Sequence, residues 1–377
     1  MITSRQKHPS LWRHVLAVLL LAFAASAVLA QGNSEPEEAA PLIEDGNFYL
    51  QSGGCALAQF YFQDALRIEP NNVDAHVGKG RALACQGAYP AAIEAYQAAL
   101  AIDANHLDAL VHLAITYQNQ YQTDPGTYQG RLADALDVIQ RAERNRADDA
   151  RVQNTKGIIL YQLNDLAQAR TTLERAVSLA GLEGSGLSNS EKSTVQVNLG
   201  RTYRDLEELE LALQAFRRAV VLDPASATAH NNLGNVAYRL GDCDMAEFEL
   251  SQAVNLDPNS LSAASSLGIA LFECGQVANS VPRLEAATKM TGAAFLPALF
   301  TYLARAYLEV GRVDDAVFVA QQGALLSSPE SADAYYWLGR AYTQRGGPSD
   351  ASSAQQAYQR ALELDSGYAP AREALGQ

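Results

Sequence analysis

The chain has 377 residues and a formal net charge of −14, with 28 basic and 42 acidic side chains. This acidic balance disfavours DNA, RNA and anionic lipid as default partners, and ordinary solubility also accounts for it. Hydrophobic residues make up 48% of the chain and charged residues 19%, which indicates a folded protein with a large total core.

The first 30 residues are typical of a signal peptide. An apolar run begins at Val15, and small residues at Val28 and Ala30 suit cleavage after Ala30, with Ala25 and Ala27 as a nearby second choice. The basic residues that precede this run are Arg5, Lys7 and Arg13. An uncleaved anchor is the alternative, but the apolar stretch is shorter than the roughly 18–20 residues that a spanning helix needs. We expect no membrane span after cleavage of residues 1–30.

Residues 31–41 follow as a short acidic segment. It contains Pro36 and several glutamates but no apolar run, so we expect a disordered linker. With a cleaved signal, the mature protein would be exported, and it would be either periplasmic or secreted.

A spacing of 34 residues dominates the rest of the sequence. Small, aromatic and proline positions recur at this interval: Leu199, Gly200, Tyr203, Ala212, Phe216, Ala219 and Pro224, then Leu233, Gly234, Ala246, Leu250, Ala253 and Pro258. Glycine and alanine suit the close crossing of two helices, while Phe216 and Leu250 fill the larger gaps between layers. Proline ends the second helix, because it lacks an N–H and its φ is fixed. Such a period is the signature of a helix–turn–helix solenoid.

These residues make the chain resemble the tetratricopeptide repeat family. The resemblance implies an all-α, right-handed superhelical solenoid of about nine helix–turn–helix repeats. Repeats 1–4 are predicted over residues 39–183 and repeats 5–9 over 193–368. The predicted repeats span residues 39–72, 73–106, 107–149, 150–183, 193–226, 227–260, 261–294, 297–330 and 332–368.

Three segments interrupt or end the predicted repeats. Repeat 3 carries an insertion near residues 118–130, which is either a recognition loop or a tolerated surface loop. A second, flexible insertion is predicted at residues 184–192. Residues 369–377 are expected to begin a C-terminal capping helix.

Four cysteines occupy nearly equivalent positions in two pairs of adjacent repeats. Cys55 and Cys243 precede the second helix of repeats 1 and 6, and Cys85 and Cys274 end the first helix of the next repeat. The recurring spacing predicts two disulfides, Cys55–Cys85 and Cys243–Cys274, which an exported protein permits. Four buried free thiols are the alternative.

No catalytic or metal-binding pattern stands out. His76 and His230 share one repeat position, so packing or helix-surface roles explain them. The glycines of residues 181–186 resemble a phosphate loop superficially, but no strand precedes them. We therefore expect neither an enzyme nor a protein that carries a cofactor or metal.

The resemblance also implies a partner-binding groove, because fixed positions of each first helix line the inner face in this family. Carried onto this chain, those positions give Arg81, Asn198, Arg201, Arg204, Asn231, Asn232, Asn235, Tyr238, Arg305, Tyr336 and Arg340. Guanidinium groups would bind carboxylates, and amides would bind peptide backbone. The alternative is an ordinary solvated helix face.

These expectations favour a non-catalytic interaction scaffold or adaptor of the cell envelope. Its partner would be a protein or peptide of the envelope, held in the concave groove, and no nucleic acid is expected. The alternative is an accessory or sugar-binding subunit of an envelope polysaccharide system.

Overall fold

The computed structural model describes residues 38–327 and 330–376, which fall into two units that divide between Gln120 and Tyr121. All regular structure in these residues is helical, with nineteen α-helices and one 3₁₀ turn. The predicted all-α class and the repeat solenoid of the tetratricopeptide type are therefore confirmed. The predicted signal peptide and residues 31–37 of the predicted linker lie outside the described residues.

The first unit contains two helix pairs and most of a fifth helix. Its helices are α1 (Ala39–Gln51), α2 (Cys55–Ile68), α3 (Val73–Cys85), α4 (Tyr89–Ile102) and α5 (Leu107–Thr123), the last of which continues past Gln120. Residues 39–41 of the predicted linker belong to α1. Ala39 is fully buried in a cluster with Ala65 and Ala75, and this packing extends the helix to its first residue.

The second unit continues the same alternation. Its helices are α6 (Arg131–Asn145), α7 (Ala150–Gln162), α8 (Leu166–Ala180), α9 (Asn189–Asp205), α10 (Leu209–Leu222), α11 (Ala227–Arg239), α12 (Cys243–Leu256), α13 (Leu261–Glu273), α14 (Val277–Thr288), α15 (Pro297–Glu309), α16 (Val313–Leu326), α17 (Ala332–Arg345), α18 (Asp350–Leu364) and α19 (Ala369–Ala374). A 3₁₀ turn at Ala293–Phe295 lies between α14 and α15. Within the described ranges, none of the helices combines the length and apolar character needed to cross a bilayer.

Side-chain caps begin many of the first helices, and left-handed turns separate the two helices of a pair. Ser226 and Ser260, 34 residues apart, each accept a hydrogen bond from the backbone N–H three residues later. Gly241 turns the chain between α11 and α12 at φ +82°, where glycine is favoured. Glu207 takes the equivalent turn at φ +61° without being glycine.

The glycine of each first helix allows the close crossing that the sequence predicts. A Cβ built on Gly200 would lie 2.6 Å from Cε1 of Phe216, whose side chain is fully buried. One built on Gly234 would lie 2.6 Å from Cγ of Leu250. Any larger residue would have to displace a packed side chain on the second helix.

Both predicted disulfides are confirmed, and residues 38–327 and 330–376 contain no free cysteine. Cys55 at the start of α2 bonds to Cys85 at the end of α3, with a Cα–Cα distance of 6.0 Å. Cys243 at the start of α12 bonds to Cys274, just after α13, with a Cα–Cα distance of 5.9 Å. Each disulfide thus joins two adjacent repeats.

The two insertions are shorter than the sequence suggests. Helix α5 continues to Thr123, and in the following turn the Asp124 side chain accepts a hydrogen bond from the backbone N–H of Thr127 at 3.1 Å. Helix α9 begins at Asn189 instead of residue 193. Ser188 and Glu191 form a capping box there, and it satisfies the first free N–H groups of the longer helix.

Candidate partner-binding groove

Five of the predicted groove residues converge on one cavity of the second unit, with a volume of about 340 Å³. Helix α9 contributes two arginines and α11 contributes three asparagines. The lining residues, here called the polar pocket, are Arg201, Arg204, Ala227, Thr228, Asn231, Asn232, Asn235, Asp257, Ser260 and Ser262. The periodic positions of successive first helices therefore build one concave site.

Hydrogen bonds hold the asparagine side chains of the polar pocket in place. Asn232 is buried, donates to the carbonyl of Thr228 at 2.8 Å and accepts from Nη1 of Arg204 at 3.4 Å. Asn235 donates to the carbonyl of Asn231 at 2.8 Å. Oδ1 of Asn235 accepts no hydrogen bond from any residue that the structure describes, so it can accept one from a ligand N–H.

The two arginines of the polar pocket differ in what they can offer a ligand. Arg204 is engaged, since its Nε donates to Oδ1 of Asp205 at 2.8 Å. The guanidinium carbon of Arg201 lies 5.3 Å from the ring centroid of Tyr161, and the residue is exposed. Within residues 38–327 and 330–376, Arg201 has no ion-pair partner, so its charge remains available to a carboxylate.

Asp205 and Tyr161 form a hydrogen-bonded pair that contacts both arginines. The Tyr161 hydroxyl donates to Asp205, which also accepts from Arg204. Burial alone would raise the pKa of Asp205, but the hydrogen bonds from Arg204 and Tyr161 lower it below its usual value. Burial, together with the bond to Asp205, raises the pKa of Tyr161. Asp205 therefore stays ionised and orients Arg204, while Tyr161 stays neutral.

Asn198 lies beside the polar pocket and extends the row of amides. Its Nδ2 donates to Oδ1 of Asn154 on α7 at 3.0 Å. Asn154 and Tyr161 are not among the predicted groove residues, although the repeat positions identify both. They are the fifth and twelfth residues of predicted repeat 4, the positions that Asn231 and Tyr238 occupy in repeat 6.

Arg305 forms the centre of a second cluster, in which aromatic rings surround its guanidinium group. Its Cζ lies 4.7 Å from the ring centroid of Phe272, 4.9 Å from that of Tyr302 and 5.0 Å from that of Trp337. Its Nη1 also pairs with Glu273 at 3.2 Å. Arg305 is thus largely committed to contacts within the protein.

Tyr238, Tyr336 and Arg340 lie around this aromatic cluster. Burial and the charge of Glu273 raise the pKa of Tyr238. Arg340 donates to the hydroxyl of Tyr336 at 3.0 Å. The Tyr336 ring packs 5.9 Å from Tyr358 and 5.6 Å from Tyr368, measured between centroids, so part of its role is structural.

Arg81 belongs to the first unit and lies on α3. Its charge lowers the pKa of Tyr96 slightly against a larger rise caused by burial of that hydroxyl. Arg81 is half-buried.

His230 is buried and hydrogen-bonded within its repeat. In the part of the chain that the structure describes, no three His, Cys, Asp or Glu side chains come together as metal ligands. His230 uses both ring nitrogens in packing, with Nδ1 2.6 Å from Glu249 and Nε2 3.1 Å from the carbonyl of Pro224. This contact supports the structural role predicted for His230.

Family models match along most of the repeat region. Two models described as "Tetratricopeptide repeat" match residues 46–106, 128–182 and 301–369 in one case and 227–260 in the other. A model described as "TPR repeat" matches residues 200–241. Together these matches cover more than half of the chain. The chain belongs to the tetratricopeptide repeat family.

Two curated proteins are similar to part of this tetratricopeptide repeat protein. The anaphase-promoting complex subunit CDC16 of Saccharomyces cerevisiae is 24% identical over 191 residues, which cover 48% of the chain and 20% of that protein. The probable UDP-N-acetylglucosamine–peptide N-acetylglucosaminyltransferase SPINDLY of Hordeum vulgare is 24% identical over 197 residues, which cover 48% of the chain and 19% of that protein. The chain therefore spans about one fifth of the length of either relative.

A solved structure of the IFIT1 monomeric mutant with Gppp-AAAA resembles the fold of this tetratricopeptide repeat protein. The TM-score is 0.54 at 16% sequence identity, and the match covers 85% of this chain and 79% of that chain. A likeness at this level of identity extends to the fold alone.

Proposed function

We propose that this tetratricopeptide repeat protein is a non-catalytic interaction scaffold that holds an extended segment of a partner protein in the polar pocket. The family and its fold support a role in protein–protein interaction. The observation that carries the proposal is the convergence of two arginines and three asparagines from α9 and α11 on one cavity.

The chemistry of the polar pocket suits an extended peptide. An extended segment presents unpaired backbone N–H and C=O groups together with side chains. Oδ1 of Asn235 can accept a backbone N–H, and the exposed guanidinium of Arg201 can bind an acidic side chain. The internal hydrogen bonds of Asn231 and Asn232 reduce the entropy lost on binding, because these amides are already ordered.

In this proposal the protein binds its partner in the cell envelope. Its support is the sequence of residues 1–30, with basic residues, a short apolar run and small residues at the cleavage site. The exported protein should begin at Gln31 when its N-terminus is sequenced. Membrane-embedded protein that retains Met1 would contradict export as a free protein.

A crosslinked pull-down with mass spectrometry tests the proposed partner binding. The bait is the mature protein, compared with the double variant Arg201→Glu/Arg204→Glu. The control is Arg144→Glu/Arg175→Glu, which makes the same change in charge at two exposed arginines on α6 and α8. We expect the control to retain the same envelope proteins as the unaltered chain and the groove variant to lose them.

Two results would change the proposal. Equal retention by the groove variant and the control would make the polar pocket an ordinary solvated surface. Binding of cell-wall or exopolysaccharide fragments, without retention of any protein, would favour the alternative of an accessory subunit for an envelope polysaccharide system. The serine and threonine hydroxyls of the polar pocket would then be the sugar contacts to test next.

A further inference from the structure

A second cavity, here called the insertion cavity, lies in the second unit beside the insertion between repeats 4 and 5. Its volume is about 430 Å³, within the range of roughly 300–1,000 Å³ that is typical of ligand sites. Helices α8, α9 and α10 line it with Val177, Ala180, Gly181, Lys192, Gln196, Arg217, Arg218, Val221 and Leu222.

The insertion cavity is distinct from the polar pocket, although α9 contributes to both. Lys192 faces the insertion cavity, and Arg201 faces the polar pocket. These two residues are nine positions apart, which is two and a half turns of an α-helix, so they project from opposite sides of α9. A ligand in one site therefore leaves the other open.

Apolar side chains line one part of the insertion cavity. Val177 and Leu222 are half-buried and Ala180 is buried, while Val221 is 79% exposed at the edge of the cavity. An exposed valine in a concave apolar surface gains free energy when a ligand covers it, because apolar area leaves water. This surface suits an aliphatic group.

Three basic side chains, Lys192, Arg217 and Arg218, line the same cavity, and no acidic residue does. None of the three forms an ion pair with a residue in the described ranges. Arg217 makes only a weak contact with Sδ of Met245, at 3.5 Å. The cavity therefore presents an uncompensated positive charge beside its apolar wall, which favours an anionic ligand.

Gln196 supplies the third element of recognition. The residue is only 8% exposed, and its Oε1 is buried without a hydrogen-bond partner among the described residues. A buried acceptor that is left unsatisfied destabilises the folded state, so native proteins seldom leave one without a partner. Gln196 lines the cavity, so rotation of its amide toward the cavity would let a ligand N–H group donate to Oε1.

We propose that the insertion cavity binds the free C-terminus of a polypeptide that ends in an aliphatic residue. Such an end carries an anionic carboxylate, an aliphatic side chain and an N–H donor, which match the three features of the cavity. Its carboxylate binds Lys192, Arg217 and Arg218, its side chain packs against Val177, Val221 and Leu222, and its last backbone N–H donates to Oε1 of Gln196. A free fatty acid has the first two groups but no N–H donor.

Fluorescence anisotropy with the purified full chain tests this proposal. The probe is a fluorescein-labelled peptide, Ser-Gly-Ser-Gly-Leu, with a free C-terminal carboxylate, and the matched probe is the same peptide with a C-terminal amide. We expect the free acid to bind at least tenfold more tightly than the amide. Arg217→Ala/Arg218→Ala should weaken binding of the free acid at least tenfold, while Arg144→Ala/Arg175→Ala, at two exposed arginines outside both cavities, should leave it unchanged.

Gln196→Leu tests the hydrogen bond separately, and it should weaken binding of the free-acid peptide by about fivefold. If this buried substitution unfolds the protein, the variant Arg217→Ala/Arg218→Ala tests the proposal alone, because both arginines are exposed and lie outside the core. Equal affinity for acid and amide, no saturation at millimolar peptide, or equal losses in the Arg144/Arg175 and Arg217/Arg218 variants would overturn the proposal. Decanoate that binds where the peptide does not would overturn it too, because the site would then take free amphiphilic anions.

Discussion

Removal of the Cys243–Cys274 disulfide should destabilise the protein locally. The disulfide joins the start of α12 to the residue just after α13, and its cysteines are 31 residues apart. In the chain-entropy model, a loop of about 30 residues restricts the unfolded state by about 3.6 kcal/mol at 25 °C. Repeats in a solenoid contact only their neighbours, so this stabilisation acts mainly on repeats 6 and 7.

Hydrogen exchange measured by mass spectrometry is the suitable assay, since it reports opening region by region. At about 1.4 kcal/mol for each factor of ten, the loss corresponds to a fall in protection of roughly 10²–10³-fold. The variant Cys243→Ser/Cys274→Ser should show this fall in α12 and α13, with little change in α1 to α3. The variant Cys55→Ser/Cys85→Ser is the matched control and should show the reverse.

A uniform loss of protection along the chain in both variants would refute this reasoning. It would mean that the repeats open as one cooperative body and that the position of a disulfide does not matter. Unchanged protection in both variants would contradict the stabilisation itself.

Two further predictions concern packing and pH. Gly200→Ala should lower the free energy of unfolding, measured by urea titration, by about 1–2 kcal/mol, because displacement of the Phe216 ring outweighs the higher helix propensity of alanine. In a Phe216→Ala background, the same substitution should be neutral or stabilising. Hydrogen bonds from Arg345 hold the pKa of Asp350 at about 2 against an unfolded value near 3.8, so its stabilising effect is complete above about pH 4 and disappears as the pH falls through 2. Acid titration followed by the fluorescence of Trp337 should show this loss, and Asp350→Asn should remove that part of the pH dependence; an identical acid transition in the variant would assign it to other carboxyls.

The fold could be predicted from the sequence because the repeat encodes it locally. Glycine at position 200 and an aromatic ring at position 216 already imply a close helix crossing, and the structure shows that contact. The recurring cysteine positions implied the disulfides for the same reason. Helix boundaries were harder to predict at the insertions, although Ser188 and Glu191 have the spacing of a capping box, which is typical of a helix that starts at Asn189.

The candidate site was predictable only in part. Arg201 and Asn235, which the family positions assign to the groove, line one cavity, but those positions could not show which cations are already engaged. Arg305 is surrounded by aromatic rings from three different helices, and that arrangement depends on how successive repeats pack. The insertion cavity lies on the other side of α9, where the family pattern makes no functional statement.

Site-specific photocrosslinking tests the central proposal most directly. A photoreactive residue in place of Asn235 in the polar pocket would be compared with one in place of Arg175, which is exposed on α8 and outside both cavities. In cells that express the exported protein, we expect Asn235 to crosslink to one contiguous segment of an envelope protein and Arg175 to yield no such product. Crosslinks of equal yield to the same proteins from both positions, or none from Asn235, would contradict partner binding in the polar pocket.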